Sequence, residues 1–121
     1  MAASMREPTF WILTALASAP RHGYGVIQEA SALSGGRVVL QAGTLYAALD
    51  RLTAEGLVEV DREELVDGRN RRYYRLTHRG ATALTAETER LRASLEAATS
   101  QLKRFGLGPA GAHRSGPRVA W

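Results

Sequence analysis

Two rhythms of apolar and polar positions run along the chain, and each change of rhythm marks an element. From Pro8, apolar residues at 10, 12, 13, 16 and 17 share one helical face. Proline suits a first helical turn, and Pro20 closes the helix. A second helix follows His22-Gly23-Tyr24-Gly25, because Val26, Ile27, Ala30 and Leu33 keep helical spacing until Gly35-Gly36. Arg37 to Leu40 is short and β-branched, so it reads as a brief strand or an extended link. Leu45, Ala48, Leu49 and Leu52 form a stripe that predicts a helix over 42–55, with Gly56 placed for a left-handed cap. The period then drops to two. Val58 and Val60 point one way, Glu59 and Asp61 the other, and after the Asp67-Gly68 turn signal Arg72, Tyr74 and Leu76 share a face. That is a hairpin.

Thr77 is a good cap for a last helix that runs to Arg104 or Phe105. Its Leu84, Thr88, Leu91, Leu95, Ala98, Leu102 and Phe105 alternate spacings of four and three. A helix of about 28 residues spans about 42 Å, more than a small core covers. Its first half can fold back on its own domain, but the second half extends too far for that. The seam therefore predicts a dimerisation helix and a homodimer. Four Gly and two Pro in 106–121 predict a disordered tail. The expected organisation is a flexible N-terminus 1–7, a winged helix-turn-helix DNA-binding domain 8–76, a dimerisation helix 77–105 and the tail. The fold class is mainly α (α+β).

At 121 residues the chain is one domain of ordinary size. No apolar run approaches the ~20 residues a membrane span needs, and Met1 to Phe10 lacks a signal-peptide core, so a cytoplasmic protein is expected. Cysteine is absent, which excludes disulfides and thiolate chemistry. Charge is uneven. Through Val60 there are four arginines against five acids, net −1, and beyond it twelve bases against seven acids, net +5. Arg69, Arg71, Arg72, Arg75 and Arg79 cluster with no acid among them. His22, His78 and His113 lack ligand spacing, so no metal is expected. No nucleophile, base and orienting group fall together, so neither an enzyme nor a cofactor is expected.

A hairpin behind two helices that flank a glycine turn makes the motif winged. Its second helix would enter the major groove by its N-terminal end, here Gln41, Ala42, Gly43, Thr44 and Tyr46. The wing residues Arg69, Asn70, Arg71 and Arg72 suit phosphates or the minor groove. Tyr24 and Arg51 join this DNA-binding set. The residues that carry a resemblance are His22-Gly23-Tyr24, Gly43-Thr44-Leu45-Tyr46, the run Leu49 to Val58 with Arg51, Leu52, Glu55 and Gly56, and Gly68 to Thr77 followed by Gly80. In that order and spacing they resemble the PadR family of transcriptional regulators over roughly residues 8 to 104. The short subgroup, with a single terminal helix, is the nearer likeness.

The resemblance implies a ligand-responsive homodimeric repressor of its own gene or a neighbouring operon, bound to a pseudo-palindromic operator. It also implies a small aromatic effector at the dimer interface, which places Phe10, Trp11, Thr14 and Leu91 near such a site. Dimerisation would use Leu84, Thr88, Leu91, Leu95, Ala98 and Leu102. Four departures stand out. Gln41-Ala42 replaces the family's usual Ser-Pro, and Ala47 a usual Pro. Asp50 stands where a base is frequent; it could accept from cytosine N4, pair with Arg51 or face solvent. No tryptophan lies in the last helix. The alternative is a winged-helix protein-interaction module without DNA binding.

Overall fold

The structure, a computed structural model, describes residues 5–107. The elements are α1 (Glu7–Ala17), β1 (Arg21–His22), α2 (Gly23–Leu33), α3 (Ala42–Ala54), β2 (Val58–Val66), β3 (Arg69–Leu76) and α4 (His78–Phe105). Helices α1 and α3 start within a residue of their sequence-derived positions. The expected flexible N-terminus differs. Met5 packs against the core and Glu7 opens α1. Residues 1–4 and the expected tail from 108 onward lie outside the described residues.

The chain divides into two compact units, with the division after Glu87 rather than after residue 76. In the first unit, Ile12, Leu13 and Leu16 of α1, Val26 and Ala30 of α2, and Leu45, Leu49 and Leu52 of α3 are buried together with Val58 and Tyr74 of the hairpin. The four α3 stripe positions are the buried face that the periodicity predicted. Arg21 joins the first two helices. Its Nε donates to the Ala15 carbonyl at 2.8 Å, satisfying an orphan acceptor at the α1 C-terminus, and its Nη2 lies 3.5 Å from Glu29 of α2.

Residues 37–40 form a link, not a strand. Ser34 Oγ accepts from the Val38 amide at 3.0 Å and donates to the Ser31 carbonyl at 3.2 Å, so a side chain takes the hydrogen bond that a ladder would use. A strand that was not foreseen, β1, lies instead between α1 and α2. It pairs Arg21 with Tyr74 and His22 with Tyr73, giving a three-stranded antiparallel sheet in the order β1-β3-β2. Asp67 and Gly68 both have positive φ, 52° and 77°, and join Val66 to Arg69 as a two-residue type I′ turn. The burial expected from the β2 alternation already fails at Val60, which is 40% exposed while Glu59 and Asp61 on either side are half-buried. At Asp61 a bulge intervenes, since Val60 pairs with Tyr74 and Arg62 with Tyr73.

Helix α4 begins where Thr77 predicted. Thr77 Oγ1 accepts from the Gly80 amide at 2.9 Å and donates to the Gly56 carbonyl at 2.7 Å. Gly80 is buried, and a Cβ there would collide with the Leu57 carbonyl oxygen, so only glycine lets the helix approach this closely. Leu84 packs on the core, and Glu87, also buried, accepts from the Met5 amide at 3.4 Å.

In the second unit the rest of α4 has no buried residue. Leu91, Leu95, Leu102 and Phe105 are 41%, 66%, 47% and 72% exposed. The helix ends in a Schellman motif. Gly106 has φ 112°, and the Leu107 amide donates back to the Leu102 carbonyl at 2.8 Å. Among the described residues no helix is long and apolar enough to cross a membrane.

Candidate nucleic-acid interface

A cleft of about 1200 Å³ opens between the start of α2, the side of α3 and the wing. Helix α2 contributes Gly23, Tyr24 and Gln28, next to its cap His22; α3 contributes Tyr46 and Asp50; the hairpin contributes Val66, Asp67, Arg69, Asn70, Arg71, Arg72 and Tyr74. Six of the residues expected to meet DNA are thus brought together: Tyr24, Tyr46, Arg69, Asn70, Arg71 and Arg72. Gln41, Gly43 and Thr44 are exposed at the start of α3 but do not line the cleft.

Arg51 is not brought to it. Its Nη2 donates to Thr9 Oγ1 at 3.0 Å and its Nη1 lies 3.6 Å from Glu55, so its guanidinium ties α3 to α1. Tyr46 does line the cleft, yet its ring is also a packing group. The Tyr46 hydroxyl and ring carbons occupy the space that a Cβ on Gly23 would need. That close approach is the physical reason for glycine at the start of α2, and Gly23 is buried by it.

His22 caps α2. Its Nδ1 accepts from the Gly25 amide at 3.0 Å, which fixes the remaining ring proton on Nε2 when the ring is neutral. Its ring meets Tyr73 edge-on at 5.3 Å, and the Arg62 guanidinium sits 3.9 Å from the other ring's centroid. The sequence signal for this role was a polar residue directly before a helical run.

The wing is less basic than its sequence. Arg71, Arg72 and Arg75 of β3 stand opposite Glu64, Glu63 and Glu59 of β2 across the ladder. Arg75 pairs with Glu59 at 2.6 Å and lies 3.6 Å from Asp61, and Arg72 lies 3.4 Å from Glu63. Asn70 Nδ2 donates to Glu63 at 2.5 Å. Arg62 pairs with Asp61 and Glu64, each at 2.8 Å. Hydrogen bonding to Arg62 is the largest cause that holds the Glu64 carboxyl below its ordinary pKa. A hydrogen bond with Tyr74, ahead of the nearby Glu63 charge, raises that of Arg72. Arg69 and Arg71 have no ion-pair partner among the described residues. Both are exposed, and Arg71 stands opposite Glu64 in the ladder, where its charge helps to lower that carboxyl's pKa.

The residues expected near an effector have local roles. Phe10 and Trp11 meet edge-on at 5.1 Å. Trp11 Nε1 donates to Glu7 at 3.2 Å, and Arg37 lies over the indole at 5.8 Å. Thr14 Oγ1 donates to the Phe10 carbonyl at 2.6 Å, so its hydroxyl proton is taken by its own helix. Leu91 belongs to the second unit.

The model of the transcriptional regulator PadR-like family matches residues 12–86. The chain is similar to the protein named transcriptional regulator Rv3488 of Mycobacterium tuberculosis, with 47% identity over 70 residues. That stretch covers 58% of this chain and 62% of the mycobacterial protein. Among solved structures, a PadR family transcription regulator from Clostridium difficile matches with a TM-score of 0.63 at 22% identity, covering 80% of this chain and 95% of that one. Bacillus subtilis PadR, solved in complex with operator DNA, matches with a TM-score of 0.62 at 24% identity, covering 69% of this chain and 47% of that one. Identities this low show the shared fold.

Proposed function

The chain belongs to the PadR-like family of transcriptional regulators, and from that premise we propose that it is a homodimeric repressor that binds a pseudo-palindromic operator in double-stranded DNA and acts in the cytoplasm. The observation that supports this reading best is the cleft, where the exposed flank of α3 and two exposed arginines without an ion pair, Arg69 and Arg71, are presented together. A relative by fold was solved on operator DNA. In this reading α3 enters the major groove and the wing holds the flanking backbone, where phosphate contacts fix register and base contacts specify. The exposed seam from Leu91 to Leu102 pairs two chains, so that two heads meet half-sites about 34–36 Å apart or a multiple of that. Release by a small aromatic effector, with Phe10 and Trp11 as the aromatic surface, belongs to the same reading. Such a ligand acts only by binding the DNA-free arrangement more tightly.

The test is a fluorescence-anisotropy titration on the duplex upstream of the chain's own gene, with a scrambled duplex and several salt concentrations alongside. The expected result is preference for the upstream duplex and an affinity that falls steeply with salt. Arg71→Ala should lower the salt slope by about 0.9, whereas Arg75→Ala, whose charge already meets Glu59, should change it far less. A second reading, a protein-interaction module, is favoured by one observation: Arg62, Arg72 and Arg75 are already matched by acids. It predicts no salt-sensitive duplex affinity at all.

A further inference from the structure

The outward face of α3 is nearly bare. Gly43, Ala47, Asp50 and Ala54 follow one another at spacings of four, three and four, opposite the buried Leu45, Leu49 and Leu52, and all four are exposed. Nothing lies within 4 Å of where a Cβ on Gly43 would sit. A helix with so little on its leading face approaches a groove floor closely. On this line only Asp50 carries a polar side chain. One of the three roles open to it in the sequence is now removed. Arg51 is engaged with Thr9 and Glu55, so it is not the counter-ion of Asp50. Among the described residues Asp50 has neither a hydrogen bond nor an ion pair, and it lines the cleft beside Tyr46 and Gln28.

A carboxylate carried towards a polyphosphate is repelled unless it finds a donor. In the major groove the donors on base edges are the N4 amine of cytosine and the N6 amine of adenine. Adenine sets the acceptor N7 beside its amine, which repels the second carboxylate oxygen. Cytosine has only a C–H edge there. Resting on the DNA-binding reading above, we infer that Asp50 is a specificity-determining residue, whose carboxylate accepts a hydrogen bond from the N4 amine of a cytosine in each half-site. The same charge works against binding where no cytosine is offered, because the carboxylate then faces phosphates unpaired. Asp50 thereby excludes wrong sequences as well as selecting the right one.

The experiment needs no known operator. Full-length wild type, Asp50→Ala and Asp50→Asn are each used to select from a duplex library with a randomised segment, and the enriched duplexes are then titrated. Wild type should enrich a motif with one fixed cytosine per half-site, whose replacement weakens binding about tenfold or more. Asp50→Ala should keep the rest of the motif, lose preference at that position and bind scrambled duplex more tightly than wild type. Asp50→Asn, of nearly the same shape, should move the preference towards adenine, the base that asparagine reads through N6 and N7. Enrichment by Asp50→Ala of the same cytosine with undiminished preference would overturn the inference. Failure of the wild type to enrich any motif would overturn the DNA-binding reading itself, before any variant is compared.

Discussion

Residues 78–87 and 88–105 lie on one unbroken helix and share one heptad, yet the two stretches are stabilised differently. In the first, Gly80 is pressed against the Leu57 carbonyl, Leu84 packs on the core and Glu87 is buried. In the second, the same seam continues through Leu91, Leu95 and Leu102 with every one of them exposed. A seven-residue repeat states that one face is to be covered. It does not state by what. The first stretch is covered by its own domain. The second holds an apolar stripe of the kind that marks an interaction surface. The winged head therefore owes its stability to contacts within the chain, and the distal helix is expected to gain its own from a second copy.

The largest expected effect that separates the two stretches is in the head. Leu49 is fully buried, so Leu49→Ala should cost about 2–5 kcal/mol in urea unfolding, by an amount independent of protein concentration. A distal truncation, Leu95→Ala, should instead give a loss that changes with concentration, because it acts through assembly. Next is the junction. Gly80→Ala places a methyl against the Leu57 carbonyl and should cost about 1–3 kcal/mol, read as a lower urea midpoint. Thr77→Ala removes the acceptor for the Gly80 amide and should cost about 1 kcal/mol. The smallest effect is one of pH and is confined to the head. Glu64 has a lower pKa folded than unfolded, chiefly through Arg62. Its ion pair contributes fully above the unfolded carboxylate value of about 4.3 and is lost as pH falls below it. Acid unfolding of wild type and Glu64→Gln should converge in that range and diverge slightly at neutral pH.

The head was legible in the sequence wherever a local pattern repeats. The α3 stripe, the Asp67-Gly68 turn and the Thr77 cap each rest on a few neighbouring residues. What escaped depends on partners distant in the chain. Two residues, Arg21 and His22, show no periodicity, so β1 is visible only through its pairing with Tyr73 and Tyr74. Arg72 and Arg75 of the five-arginine run looked uncompensated because their acids, Glu63 and Glu59, stand opposite them on another strand. Tyr46 lay off the apolar stripe and was read as free for DNA, while its ring also fills the space that Gly23 leaves empty. Arg51, one residue from Asp50, turns the other way because Thr9 of α1 and Glu55 flank it. Helix phase could have separated the two, but its partners could not be read from phase alone.

The central claim is that the exposed distal seam is covered by a second chain and that this coverage is independent of the head's own fold. Sedimentation equilibrium of the full chain, beside Leu95→Glu, tests it most directly. The account predicts a two-chain particle for wild type and a single chain for Leu95→Glu, with both giving the same helical circular-dichroism signal from an intact head. A wild type that remains a single chain at every concentration, or a Leu95→Glu protein that stays paired, would contradict it.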